Sequence, residues 1–137
     1  MVTQIIVSSS DDETFPFCEL LSTYTSLSPT SGEQKICIPF SSHVIVKVLD
    51  FLEWLSIHEN IVYCESAKKD FHRDFLDMNT SFAVELYKFA CQFDVRKLKE
   101  LIKADFMDFV KSHSEPTVLK YFSMCSSLQE VINLVNC

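Results

Sequence analysis

Apolar residues change their spacing along this chain, and the change divides it. Ile5-Ile6-Val7 is a β-branched run followed by the polar turn Ser8 to Glu13, so a short strand is expected over Gln4 to Ser8. Thr14-Phe15-Pro16-Phe17 reads as a returning strand, which Pro16 confines to a sheet edge. Cys18 to Tyr24 is long enough for about two helical turns. Ser26 to Gln34 reads as a loop, and Lys35 to Pro39 as a third strand. From there the spacing becomes helical. Val44, Val48, Phe51, Leu52 and Leu55 recur at i, i+4, i+7, i+8 and i+11 behind a cap at Ser41 or Ser42, with Trp54 and Ile57 widening the stripe. Ile61 to Asp70 shows no periodicity and reads as a loop, followed by a short helical turn over Phe71 to Leu76.

The remainder is helical throughout. Asn79 or Thr80 is placed to cap a helix carrying Phe82, Leu86, Phe89, Ala90 and Phe93. Asp94 is expected to cap the next, through Val95, Leu98, Leu101, Ile102, Phe106, Phe109 and Val110. Pro116 suits the first turn of a further helix with Val118, Leu119, Phe122 and Met124. Ser126 or Ser127 caps a last piece, Leu128 to Val135. Short strands first and helices after predict an α+β fold. The aromatic row Phe82, Phe89, Phe93, Phe106, Phe109 and Phe122 is expected to be mostly core. Exposure is expected only at its C-terminal members, because a short final helix cannot cover them all.

Composition narrows the function. The chain has 137 residues, 47% of them hydrophobic, with twelve Phe and a single Gly. Loops that cradle phosphates need glycine to bring backbone close to the ligand, so a nucleotide-binding enzyme is disfavoured. The formal net charge of −7 argues against a nucleic-acid partner, which is held by lysine and arginine on phosphates. No apolar run reaches the length of a membrane span, and no secretory signal is evident.

The six cysteines lie at 18, 37, 64, 91, 125 and 137, with no pair and no histidine at metal-ligand spacing. They read as free thiols in a reduced, intracellular protein, and Cys91 as core filler rather than nucleophile. The pairs Asp74–Asp77 and Asp105–Asp108 share helix faces at i, i+3 and read as solvated acids rather than a catalytic dyad. No catalytic residue, cofactor or metal is expected.

Three blocks in the second half resemble the Skp adaptor family of SCF-type cullin ubiquitin ligases. The family's W-D-x-E-F-L block corresponds to Phe71-His72-Arg73-Asp74-Phe75-Leu76. Its E-L-I-L-A-A-N-Y-L-D-I-K-G-L-L-D block corresponds to Glu85 through Glu100, and its I-K-G-K-T-P-E-E-I-R-K-x-F-N-I block to Val110 through Met124, all without a gap. More loosely, Ile5 to Asp12 resembles the opening strand and turn, and Ile38-Pro39 with the following helix resembles the P-L-P segment. The resemblance covers most of the chain. It implies a BTB/POZ-like α/β platform with a short three-stranded sheet over residues 1–94, and a C-terminal helical F-box-binding extension over residues 95–137.

The function implied is a non-enzymatic adaptor that bridges an F-box substrate receptor to a cullin, in cytoplasm and nucleus. Carried over, the F-box side is Val95, Leu98, Leu101, Ile102, Phe106, Phe109, Val118, Leu119, Phe122 and Met124. The cullin side includes Cys91 and Gln92, which stand where the family has Asn-Tyr. Neither nucleic acid nor membrane is expected as a partner, and homodimerisation is the alternative when no F-box partner is bound. An elongin C-like or cullin-independent F-box-binding module is the second reading of the same fold.

Overall fold

A computed structural model describes residues 5–28, 35–58 and 65–136. Among them it shows a mixed α+β fold of one three-stranded sheet and seven helices. The order is β1 (Ile6–Ser8), β2 (Thr14–Pro16), α1 (Glu19–Tyr24), β3 (Lys35–Cys37), α2 (Ser42–His58), α3 (Glu65–Phe75), α4 (Thr80–Gln92), α5 (Arg96–Ser112), α6 (Glu115–Tyr121) and α7 (Leu128–Val135). The sheet runs β2-β1-β3, with β2 antiparallel and β3 parallel to the central β1. β2 is an edge strand, as Pro16 requires.

The turn between β1 and β2 does more than reverse the chain. Asp11 accepts hydrogen bonds from the backbone N–H of Ser42 (2.8 Å), the Ser42 hydroxyl (2.6 Å) and the Ser9 hydroxyl. A carboxylate at a helix N-terminus satisfies an N–H that the helix leaves open and meets the positive end of its dipole. These bonds hold the Asp11 carboxyl well below the usual carboxylate range, the Ser42 hydroxyl being the largest cause. The first turn of α2 is thus held by a residue 31 positions upstream, in addition to Ser41, whose carbonyl accepts from Val44 and Ile45.

Two aspartates take the left-handed backbone positions that glycine usually fills. Asp12 has φ 63° in the β1–β2 turn and Asp94 has φ 52° between α4 and α5. Aspartate tolerates this region better than most residues with a Cβ. Asp94 was expected to cap α5, but the residue before α5 is Val95, which makes no side-chain cap. Asp94 closes α4 instead. The Val95 N–H reaches back to the Ala90 carbonyl at 2.9 Å, the six-to-one bond of a Schellman ending. Other caps stand where the sequence placed them. The Asn79 side chain accepts from the Phe82 N–H at 2.9 Å, and Ser127 accepts from Glu130 N–H at 3.2 Å.

Residues 65–70 are helical, a correction to the loop expected there; residues 61–64 lie outside the described ones. The first two turns of α3 are polar, so they carry no hydrophobic period to detect. The helix is held from its other end. The Phe71 ring stacks on Trp54 at 4.0 Å, and Phe75 packs on Phe51 at 5.2 Å. The Lys47 ammonium lies 4.5 Å from the centre of the Phe75 ring.

α4 is the axis of the core. Leu86, Tyr87, Phe89 and Ala90 are fully buried on it, and α2 and α5 both pack against it. Phe40, just past β3, meets Phe89 edge-on at 5.3 Å and ties the sheet to this axis. One continuous apolar cluster runs from Val7 in β1 to Val135 in α7, across the junction at Asp94.

Candidate partner-binding surface

α5 carries the residues of greatest functional interest. Leu98, Ile102 and Phe106 recur at i, i+4 and i+8 and face α4. Leu101, Asp105 and Phe109 form a neighbouring row at the same spacing, and Leu101 and Phe109 are half-buried. Phe109 lies between two rings, with His113 stacked at 4.0 Å and Tyr121 at 4.1 Å. Tyr121 and Leu119 come from α6, which is also half-exposed here, and Met124 follows at 45% exposure.

Of the ten residues expected on the F-box side, the structure leaves Leu101, Phe109, Leu119 and Met124 accessible. It buries Val95, Leu98, Ile102, Phe106, Val118 and Phe122, each at 0–1% exposure. In this conformation those six are packing residues. The reason is that α6 and α7 fold back on α5 rather than trailing from it. Phe106 meets Tyr87 at 5.6 Å and Phe122 at 5.1 Å, both edge-on, so a ring from α4 and one from the end of α6 cover it. The expectation that C-terminal phenylalanines are exposed therefore fails at Phe106 and Phe122, and Phe109 is intermediate.

The accessible row carries one perturbed acid. Loss of solvation beside this apolar surface, and then the nearby Asp108 carboxylate, push the Asp105 carboxyl up from its ordinary value. The two carboxylates form an acidic margin beside the half-buried Leu101 and Phe109. Such a combination of aromatic and aliphatic anchors with a polar margin matches the anatomy of protein–protein interfaces.

Cys91 and Gln92 occupy the last turn of α4. Gln92 is exposed and Cys91 is half-buried against the core. Cys91 is disulfide-bonded, which corrects the expectation of free thiols at that position. Cys18, Cys37 and Cys125 are free, and Cys64 and Cys137 lie outside the described residues. Spacing along the chain could not show the pairing, because it depends on which segments the fold brings together. With its sulfur in a disulfide, Cys91 offers no thiolate for nucleophilic chemistry.

Among the described residues, two surface depressions lie beside the helices. One, of about 300 Å³, opens beside the α4–α5 turn and is lined by residues including Thr25, Ser26, Leu55, Arg96 and Lys97. The other, of about 460 Å³, is lined by Cys18, Glu19, Leu20, Thr23, Tyr24 and Ser56. Neither brings a histidine to a nucleophile. Among the described residues no group of three or more His, Cys, Asp or Glu is placed to hold a metal ion, and no helix is long and apolar enough to cross a membrane.

No protein-family model matches the chain, and no curated protein matches it significantly in sequence.

Proposed function

We propose that this protein is a divergent Skp-type adaptor, a BTB/POZ-like platform that joins an F-box receptor to a cullin scaffold without catalysing a reaction itself. The observation that carries the reading is the fall of three ordered motif blocks on successive helices. Phe71 to Leu76 ends α3, Glu85 to Glu100 spans the α4–α5 turn, and Val110 to Met124 spans the α5–α6 turn. The accessible residues Leu101, Phe109, Leu119 and Met124 supply apolar anchors of the kind an amphipathic receptor helix needs. Co-expression with an F-box domain tests this. A stable one-to-one complex is expected, weakened at least tenfold by Phe109→Ala as an interface anchor. Absence of a complex, with both partners folded, would refute the reading.

A second reading keeps the F-box partner and drops the cullin. It is favoured by Cys91-Gln92 in place of the family's Asn-Tyr, with the Cys91 sulfur engaged in a disulfide rather than free to contact a partner. Titrating the adaptor–F-box complex with the N-terminal region of a cullin separates the two.

A further inference from the structure

Six of the ten residues that the resemblance assigns to receptor binding are buried, and the last helix packs on the elements that carry them. α7 packs on α5 and α6, and its own Val131 and Val135 are fully buried. Its C-terminal turn sits over α4, where the buried Tyr87 hydroxyl donates a hydrogen bond to the Val135 carbonyl. Burial pushes the Tyr87 hydroxyl pKa up, so it stays a donor at neutral pH. Tyr87 in turn touches Phe106, and Phe106 touches Phe122. The end of α7 is therefore linked through Tyr87 to the Phe106–Phe122 pair.

The N-terminal end of α7 can leave the body without losing its own cap. Its N-terminal cap is internal. Ser127 accepts from the Glu130 N–H, while the Glu130 carboxylate accepts from the Ser126 N–H at 2.7 Å and the Ser126 hydroxyl at 2.9 Å. These bonds join the helix to its own leading residues, so lifting it off the body breaks none of them. The link from α6 carries the exposed residues Ser123, Met124, Ser126 and Ser127. At eight residues α7 is too short to be a stable helix without a surface to lie on.

We propose that α7 is a latch. It lies over the Tyr87–Phe106–Phe122 end of the core in the free protein and leaves that face when a partner helix takes its place. The partner half of this statement rests on the F-box reading; the opening of α7 does not. Val131→Ala trims the latch and leaves the covered face intact, and Tyr87→Phe removes its hydrogen bond. A partner that must displace α7 binds more weakly by the fraction of chains that are open. Loosening α7 therefore tightens binding.

Two measurements on the full chain test this. In hydrogen exchange of the free protein, amides 131–135 are expected to exchange at least about tenfold faster than those of α4, through a local opening. Val131→Ala and Tyr87→Phe should each accelerate α7 without accelerating α4. Exchange of α7 in step with α4 would overturn the latch. In titration with an F-box domain, Val131→Ala is expected to tighten binding about fivefold to tenfold, and weaker binding by this variant would overturn it. If exchange behaves as expected and no F-box domain binds either form, the latch stands and the F-box reading falls.

Discussion

Phe106 and Phe109 stand three residues apart on α5, and the structure gives them opposite work. Phe106 is 1% exposed, with the Tyr87 and Phe122 rings edge-on against it. Truncating a buried phenylalanine to alanine costs about 3–5 kcal/mol, the transfer of the ring plus the cavity it leaves. Its two edge-to-face pairs, about 0.5–1.5 kcal/mol each, lie within that figure. Phe109 is half-buried and stacks on His113 and Tyr121 at the surface. Phe109→Ala should cost about 1–2 kcal/mol, mostly those ring contacts and part of the apolar area. For an m-value of about 2 kcal/mol per molar urea, Phe106→Ala lowers the unfolding midpoint by about 2 M, and Phe109→Ala by less than about 1 M. Urea unfolding followed by helical circular dichroism reads both. F-box binding should fall with Phe109→Ala in a protein that stays folded. A domain stable by about 5–15 kcal/mol could lose its fold with Phe106→Ala; Phe106→Leu, a smaller loss of volume, then keeps the comparison measurable. Equal midpoints for the two alanine variants would show that the aromatic row is an open face and not core.

Three further outcomes follow from particular contacts. Asn79→Ala removes the side-chain acceptor at the start of α4 and should lower stability by about 1 kcal/mol, while Asn79→Asp retains it; thermal unfolding compares them. The Asp11 carboxyl is lowered by its bonds to Ser42 and Ser9, so its contribution is complete above the ordinary carboxylate pKa and is lost as pH falls below it. Asp11→Asn should flatten the acid limb of the stability curve, and an unchanged limb would remove Asp11 as its cause. The Asp105 carboxyl is raised, so ionising it opposes folding once pH exceeds its ordinary value. Asp105→Asn should unfold at a higher temperature than the natural chain at pH 7, with the difference vanishing near pH 3.

Much of the architecture follows from local pattern alone. The i, i+4, i+7 spacing from Val44 to Leu55 yields α2, Pro16 selects the edge strand, and Asn79 and Ser127 mark two helix starts. Each of these depends on backbone geometry within one or two turns, which neighbouring residues dictate. The residues in contact across the fold were not legible in this way. Asp11 stabilises the start of α2 from 31 positions away, and α3 begins in a stretch without a hydrophobic period because Phe71 and Phe75 anchor its far end. Asp94 carries a capping side chain yet serves as the left-handed residue that ends α4.

The candidate surface divides the same way. Periodicity in the sequence identifies Leu98, Leu101, Ile102, Phe106 and Phe109 as apolar positions of one helix, but it ranks them equally. Only the return of α6 and α7 across α5 decides that Phe106 is core and Phe109 is accessible. A helical period states which direction a side chain faces on its own helix; burial depends on what another segment lays against that face.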